Sequence, residues 1–324
     1  MAKILLIPDV HGSHQWEVVK SLPKESYDYI VFIGDYFDSW QNEWPDQGEN
    51  FKAICSFVRE EPEKRSLLIG NHDWAYLTGT STGKGISGHQ NAHALEIKYL
   101  LRQNLDIIDL AFECDGWVFS HAGFSKTWVD SIKKVFHQMI DKWPDEENNM
   151  SSEVWNEDEF EIHFLNTQWH KYNHSDEDNV WYNFDELLDW HGFFSGSGDE
   201  ISQGPLWIRP ESLLKDAYYS KQVVGHTEMC LYEKIFLQKN ENKAVVVDST
   251  THEVFDVFDT EREYSYMTIS EYFKWYKLNL KIINDIKSQI IYHRDEKSFI
   301  KDSLLKHFPQ DVADIIYRIA FENE

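Results

Sequence analysis

The chain has 324 residues, with 56 Asp and Glu against 31 Lys and Arg and a formal net charge of −25. Affinity for a nucleic-acid backbone rests on Lys and Arg neutralising phosphates, so this balance excludes broad nucleic-acid binding. A small phosphorylated ligand, or a phosphorylated protein segment with basic neighbours, stays compatible with it, with any attraction for phosphate supplied locally by bound metal or a few arginines.

The start, Met1 to Asp9, is briefly apolar but meets charge too early for a signal peptide, so it reads as the first strand of a cytoplasmic protein. No run of about 18 apolar residues occurs, and a membrane partner is not expected. From there one pattern repeats: a short apolar run, then a ligand-type side chain. Ile4 to Ile7 leads to Asp9 and His11; Tyr29 to Ile33 leads to Gly34 and Asp35; Leu67 to Ile69 leads to Gly70, Asn71, His72 and Asp73. Trp117 to Phe119 leads to Ser120 and His121, Gln222 to Val224 leads to Gly225 and His226, and Ala244 to Val247 leads to Asp248. Runs this short and this rich in Val and Ile predict buried strands. Phe51 to Glu60 and Gln90 to Arg102 carry helical spacing between them. Strands alternating with helices predict an α/β architecture, with a site beyond the carboxyl ends of the strands.

Two regions depart from the pattern. Residues 141–203 are acidic and aromatic, with Trp143, Trp155, Trp169, Trp181 and Trp190, and end in Ser195-Gly196-Ser197-Gly198; they read as a partly helical insert. Its His163, His170, His174 and His191 match no tight ligand spacing and read as solvated surface residues. After residue 260 the spacing of Ile269, Tyr272, Phe273 and Tyr276 predicts a helical appendage, residues 261–324, following a main domain of residues 1–260. Cys55, Cys114 and Cys230 are far apart and read as small core residues rather than a disulfide frame or a zinc site.

The donors at the strand ends suit a pair of metal ions. Asp9 and His11, two apart in locally extended chain, would point the same way and reach one ion. Asp35 has two oxygens and can bridge two cations, as a pair roughly 3.5–4 Å apart requires. Asn71 offers a neutral amide oxygen, and with His121 and His226 completes a second set around Asp35. His72 is the candidate acid for a leaving oxygen, oriented by a carboxylate: Asp38, with Asp73 as the alternative. Carboxylate and imidazole together favour two divalent ions of the transition series, manganese foremost, then iron, zinc, nickel or cobalt, over calcium or magnesium.

Asp9-x-His11, Gly34-Asp35-x-x-Asp38, Gly70-Asn71-His72-Asp73, His121-Ala122-Gly123 and Gly225-His226-Thr227, in this order, resemble the calcineurin-like metallophosphoesterase superfamily. Within it the chain is most similar to the phosphoprotein phosphatase and diadenosine tetraphosphatase branch in its bacterial and phage forms, because Glu228 stands where nucleases carry a second histidine. The resemblance implies a four-layer α-β-β-α sandwich of two mixed sheets. It also implies that Asp9, His11 and Asp35 hold the first ion and Asp35, Asn71, His121 and His226 the second, with a metal-bridging hydroxide attacking a phosphate monoester. Gly204-Pro205-Leu206-Trp207-Ile208-Arg209 resembles the bacterial segment whose arginine grips phosphate, which makes Arg209, with Asn71, the phosphate-binding candidate. Val247-Asp248-Ser249-Thr250 is similar to a further strand end of the family.

The chain departs from that branch after Asp38: Ser39 and Trp40 stand where an arginine and a glycine are usual. Loss of a charge-assisted clamp removes about 1.5–3 kcal/mol of phosphate interaction. Trp40 reads as a partly buried loop residue, with stacking on a nucleobase or aromatic leaving group as the other reading. The rival functions are a nucleotide anhydride hydrolase, such as a dinucleoside polyphosphatase, and a non-catalytic binding member of the family.

Overall fold

The computed structural model describes residues 2–78, 86, 88–142, 161–173, 188, 200–227, 234–247, 258–268, 270, 271 and 274, and all structural statements concern these. Two five-stranded sheets form the centre. The first contains β1 (Lys3–Ile7), β2 (Tyr29–Phe32), β3 (Arg65–Leu68), β4 (Ile108–Asp109) and β10 (Phe258–Asp259), in the order β10-β1-β2-β3-β4. The second contains β5 (Ala111–Cys114), β6 (Trp117–Ser120), β7 (Lys221–Val224), β8 (Lys234–Lys239) and β9 (Asn242–Val247), in the order β5-β6-β7-β9-β8. Both are mixed. β1 to β4 run parallel with β10 antiparallel at one edge, and β6, β7 and β9 run parallel between antiparallel β5 and β8.

Side chains alternate across the strands and split the core in two. Ile4, Leu6, Val31, Ile33 and Leu68 join Trp117, Phe119, Val223, Val245 and Val247 in one apolar layer shared by the two sheets. Leu5, Ile7, Ile30, Phe32, Leu67 and Ile69 face the other way, onto helices. A parallel strand covered on both faces has no polar side, which is why these runs read as continuous hydrophobics.

The helices are α1 (Asp46–Glu60), α2 (Asn71–Thr78), α3 (Ala94–Arg102), α4 (Lys126–Lys142), α5 (Ile162–Asn173) and α6 (Pro210–Lys215). Phe51, Ile54, Cys55 and Val58 give α1 its buried stripe, and Asp46 and Glu49 sit in its first turn, where negative charge is favoured. The helix starts five residues before the predicted Phe51, because its first turn buries the polar Gln47 and Asn50. Asn50 accepts from Trp16 Nε1 at 2.8 Å and donates to the Ser13 carbonyl at 2.9 Å. α3 likewise starts later than the predicted Gln90, at Ala94.

Within the predicted insert, α5 is part of the core. Trp169 is fully buried and donates to the Ile108 carbonyl, while Asn166 Oδ1 accepts the amides of Leu110 and Ala111, at 3.1 and 3.3 Å. His163 is exposed as expected, but His170 is half-buried and bonds Asp109 Oδ1 at 2.8 Å. The chain divides into two compact units, residues 1–229 with 233–266, and 230–232 with 267–324. Nearly all of the second lies outside the described residues, as do Trp143, Trp155, Trp181, Trp190, His174, His191, Glu228, Cys230 and Asp248. No helix among the described residues is long and apolar enough to cross a membrane.

Candidate metal centre

Asp9, Asp35 and Asn71 follow β1, β2 and β3, and His121 and His226 follow β6 and β7, so one cluster draws on the carboxyl ends of both sheets. Backbone bonds zip the first two loops together: His11 N–H donates to the Asp35 carbonyl at 2.7 Å and Gly12 N–H to the Tyr36 carbonyl at 2.9 Å. The turns are tight enough to force left-handed backbone on His11, Asp35, Asp38 and His226, with φ of 41°, 53°, 67° and 62°. His11 is therefore in a turn, not in the extended chain predicted for it. Such conformations persist only where the surroundings over-determine them, and functional sites are where they gather. Gly34 permits a close approach of two backbones: a Cβ there would lie 2.6 Å from Gly70 N.

Asp73 supplies much of that over-determination. At the third position of α2, its carboxylate reaches back to the Gly70 N–H at 3.0 Å, half of a capping box. It also accepts the amides of Asp35 and Tyr36, both at 2.9 Å, and so staples the turn after β2 to the turn after β3. Asp73 thus clamps the backbone, while the His72 ring bonds Asp38.

Asp35 divides its two oxygens. Oδ1 accepts the His72 N–H at the start of α2, at 2.9 Å. Oδ2 has the Nε2 atoms of His121, His11 and His72 around it, at 3.5, 3.7 and 4.0 Å. His11 Nδ1 donates to the Phe37 carbonyl at 2.7 Å, and His121 Nδ1 to the Ile33 carbonyl at 2.8 Å. A carbonyl only accepts, so each Nδ1 carries a proton and each Nε2 faces the centre. His121 Nε2 then faces Asn71 Oδ1 at 2.7 Å, with His226 Nδ1 3.0 Å from the same oxygen. Three atoms this close together can face a single cation. Donor separations of 3.5–3.7 Å also match the edge of about 3.4 Å expected around an ion with bonds near 2.1 Å. The donor set fits a cation.

Two groups of donors lie within 4.8 Å of one another: His11 with Asp35 and His72, and Asp9 with Asp35 and His121. Asp35 belongs to both, the geometry a bridging carboxylate requires. Asp9 accepts the His226 backbone N–H on both oxygens, at 3.2 Å. Burial drives Asp9 up to about 7, with His121 opposing and the Asp35 charge adding to the rise. Burial also opposes ionisation of Asp35, yet the imidazoles of His121, His72, His11 and His226 hold it well below the usual carboxylate range. Burial, helped by the Arg209 charge, keeps His226 neutral.

His72 Nδ1 bonds Asp38 Oδ2 at 2.7 Å. Burial alone would lower the His72 pKa, but the carboxylates of Asp35, Asp38 and Asp73 outweigh it and raise it to about 9. Asp38 Oδ1 accepts from the Tyr76 hydroxyl, which in turn accepts the Gln90 N–H at 2.8 Å. Sequence reasoning missed Tyr76. It lies four residues after His72 on α2, and that spacing on one helix face was the available signal.

Arg209, just before α6, donates from Nη1 to the His226 carbonyl at 2.7 Å, so it borders the cluster. Ser39 does not substitute for a cation: its Oγ accepts the amides of Gln41 and Asn42, at 3.2 and 3.0 Å, and fixes a turn. Trp40 is 80% exposed, against the partly buried placement expected from sequence. The turn that Ser39 caps displays the indole outward and leaves no core for it to enter.

Among solved structures, the chain is similar to a cold-active protein-tyrosine phosphatase of a psychrophilic Shewanella species, with TM-score 0.48 and 15% identity over 78% of this chain and 72% of that one. A point mutant of a cold-active protein tyrosine phosphatase gives TM-score 0.46 and 15% identity over the same shares, 78% and 72%. A metallophosphoesterase from Sphaerobacter thermophilus gives TM-score 0.24 and 20% identity over 40% of this chain and 54% of that one. No curated protein sequence matches the chain. The sequence profile of the calcineurin-like phosphoesterases matches residues 2–196, which span the donors after β1, β2, β3 and β6. With that match and its two mixed sheets, the chain belongs to the calcineurin-like phosphoesterase family.

Proposed function

We propose that the chain hydrolyses phosphate monoesters, of a phosphoprotein or a small phosphorylated molecule, with two divalent cations held between the ends of its two sheets. The observation that carries this reading is the environment of Asp35 Oδ2, with the Nε2 atoms of His121, His11 and His72 aimed at it from 3.5, 3.7 and 4.0 Å. Asp9, His11 and Asp35 would hold one cation, and Asp35, Asn71, His121 and His226 the other, with manganese foremost and iron, zinc, nickel or cobalt as alternatives. When bound, such a pair supplies an activated water and neutralises charge on the phosphoryl oxygens.

The protein's own side chains do the rest. His72 gives a proton to the leaving oxygen, and Asp38 holds its ring with Nδ1 engaged so that Nε2 faces the centre. Arg209 brings a guanidinium beside His226, where it can grip a phosphoryl oxygen. Asn71 contributes a neutral oxygen, which leaves its cation more positive than a carboxylate would.

The test is metal analysis paired with turnover. Chain stripped with chelator and reloaded with manganese is expected to bind two ions and to hydrolyse p-nitrophenyl phosphate; Asp35→Ala should lose both properties. Two bound ions with no hydrolysis of any phosphate ester would favour a binding protein. Turnover of dinucleoside polyphosphates in preference to monoesters would favour an anhydride hydrolase.

A further inference from the structure

A cavity of about 400 Å³ lies beside the His72–Asp38 pair, lined in part by Ser39, Trp40, Asn42, Trp44, Gln90 and His93. Two of these residues connect to Asp38, which orients His72. Ser39 directly follows Asp38, and the Gln90 amide donates to the Tyr76 hydroxyl that holds Asp38. Asn42 also donates to the carbonyl of Gly12, the residue after His11, at 2.7 Å, so the cavity adjoins the turns that carry Asp38 and His11.

Its walls are aromatic and fixed. Trp44 stacks on His93 with ring centres 5.6 Å apart and planes 22° from parallel, and its Nε1 donates to Glu96 Oε2 at 2.5 Å. Trp40 rises from the turn that Ser39 caps and stays 80% exposed. Exposing an indole forgoes the large burial that Trp normally gains, so its faces are free surface at the cavity. Among the described residues the lining includes Glu43 but no lysine or arginine, which favours an uncharged group over a phosphoryl group. Its volume falls in the range of pockets that take a small organic group.

We infer that this cavity receives the alcohol part of the substrate, and that Trp40 stacks there on a planar aromatic ring. The substrate class is then a phosphate ester whose leaving group carries such a ring, tyrosyl or nucleoside. This inference rests on the monoester hydrolysis proposed above. An indole in this cavity raises selectivity through contact with the departing group, independently of the chemistry at the ions.

The probes are phenethyl phosphate and cyclohexylethyl phosphate, whose alcohols differ in aromaticity but little in acidity. The manganese-loaded chain should show kcat/KM about tenfold higher for the phenethyl ester, the order of a single aromatic stacking contact. Trp40→Ala should bring that ratio near one, and Trp40→Phe should retain most of it. Repeating the comparison with phosphotyrosine against phosphoserine peptides, and adenosine monophosphate against ribose phosphate, identifies the source by which ratio falls further in Trp40→Ala. As a readout apart from turnover, the indole N–H resonance missing in Trp40→Phe should shift when phenethyl alcohol is added. Equal hydrolysis of both probe esters by the natural chain, or an unchanged ratio in Trp40→Ala, overturns this inference while leaving the proposed function standing. Failure to hydrolyse any ester overturns both.

Discussion

His72 Nδ1 lies 2.7 Å from Asp38 Oδ2, joining the second residue of α2 to a residue held at a φ of 67° by the turn after β2. The bond fixes which imidazole nitrogen faces the cluster. His72→Asn is expected to lower kcat by about a hundredfold or more while two cations remain bound, with the largest loss on esters of weakly acidic alcohols. Rates across a series of leaving groups, with metal content measured in parallel, check this. Loss of one ion would reassign His72 as a ligand, in line with its grouping beside His11 and Asp35.

Tyr76 acts one step further out, through Asp38. Tyr76→Phe removes the donor to Asp38 Oδ1 and the acceptor for the Gln90 amide. The expected loss is about tenfold in kcat with KM little changed, as for other outer partners of a site. Steady-state kinetics with a pH profile distinguish this from general destabilisation, because a looser Asp38 should shift the limb assigned to His72.

Uptake of cations should release protons. Asp9 is raised to about 7 by burial and by the neighbouring Asp35 charge, with His121 opposing, so below that pH the metal-free chain carries its proton there. A cation must displace it, and affinity is expected to rise from pH 6 toward 8 and then level as that proton is lost beforehand. Calorimetry in buffers of different ionisation enthalpy checks the prediction; equal proton release at both ends of this range would contradict it.

Gly34→Ala tests the contact between the turns. The added Cβ would lie 2.6 Å from Gly70 N, on a residue whose φ is 109°. A destabilisation of at least about 2 kcal/mol is expected, since both the clash and the backbone conformation oppose alanine. Urea denaturation of the metal-free chain measures it.

The strands and their terminal donors were readable because each short apolar run stops at a polar residue, and periodicity reports burial on both faces. The first turn of α1 was not, since Gln47 and Asn50 are buried through hydrogen bonds that an apolar pattern cannot register. The left-handed backbone at His11, Asp35 and Asp38 was equally hidden: Gly12 and Gly34 mark a turn beside two of them but not the conformation of these residues themselves, which depends on clamps such as Asp73 that exist only once β2 and β3 are side by side. Trp40 was misjudged because a residue's average burial says nothing about a turn that displays it.

The donors divide four to two between the sheets, with Asp9, His11, Asp35 and Asn71 on one side and His121 and His226 on the other. The cluster thus straddles a seam closed chiefly by Ile4, Leu6, Val31, Phe119, Val223 and Val245. Slippage along that seam by a fraction of an ångström would pull the two halves out of register long before either sheet melted. On warming, activity should fail ahead of secondary structure, and an occupied centre would act as a rivet that moves both events to higher temperature.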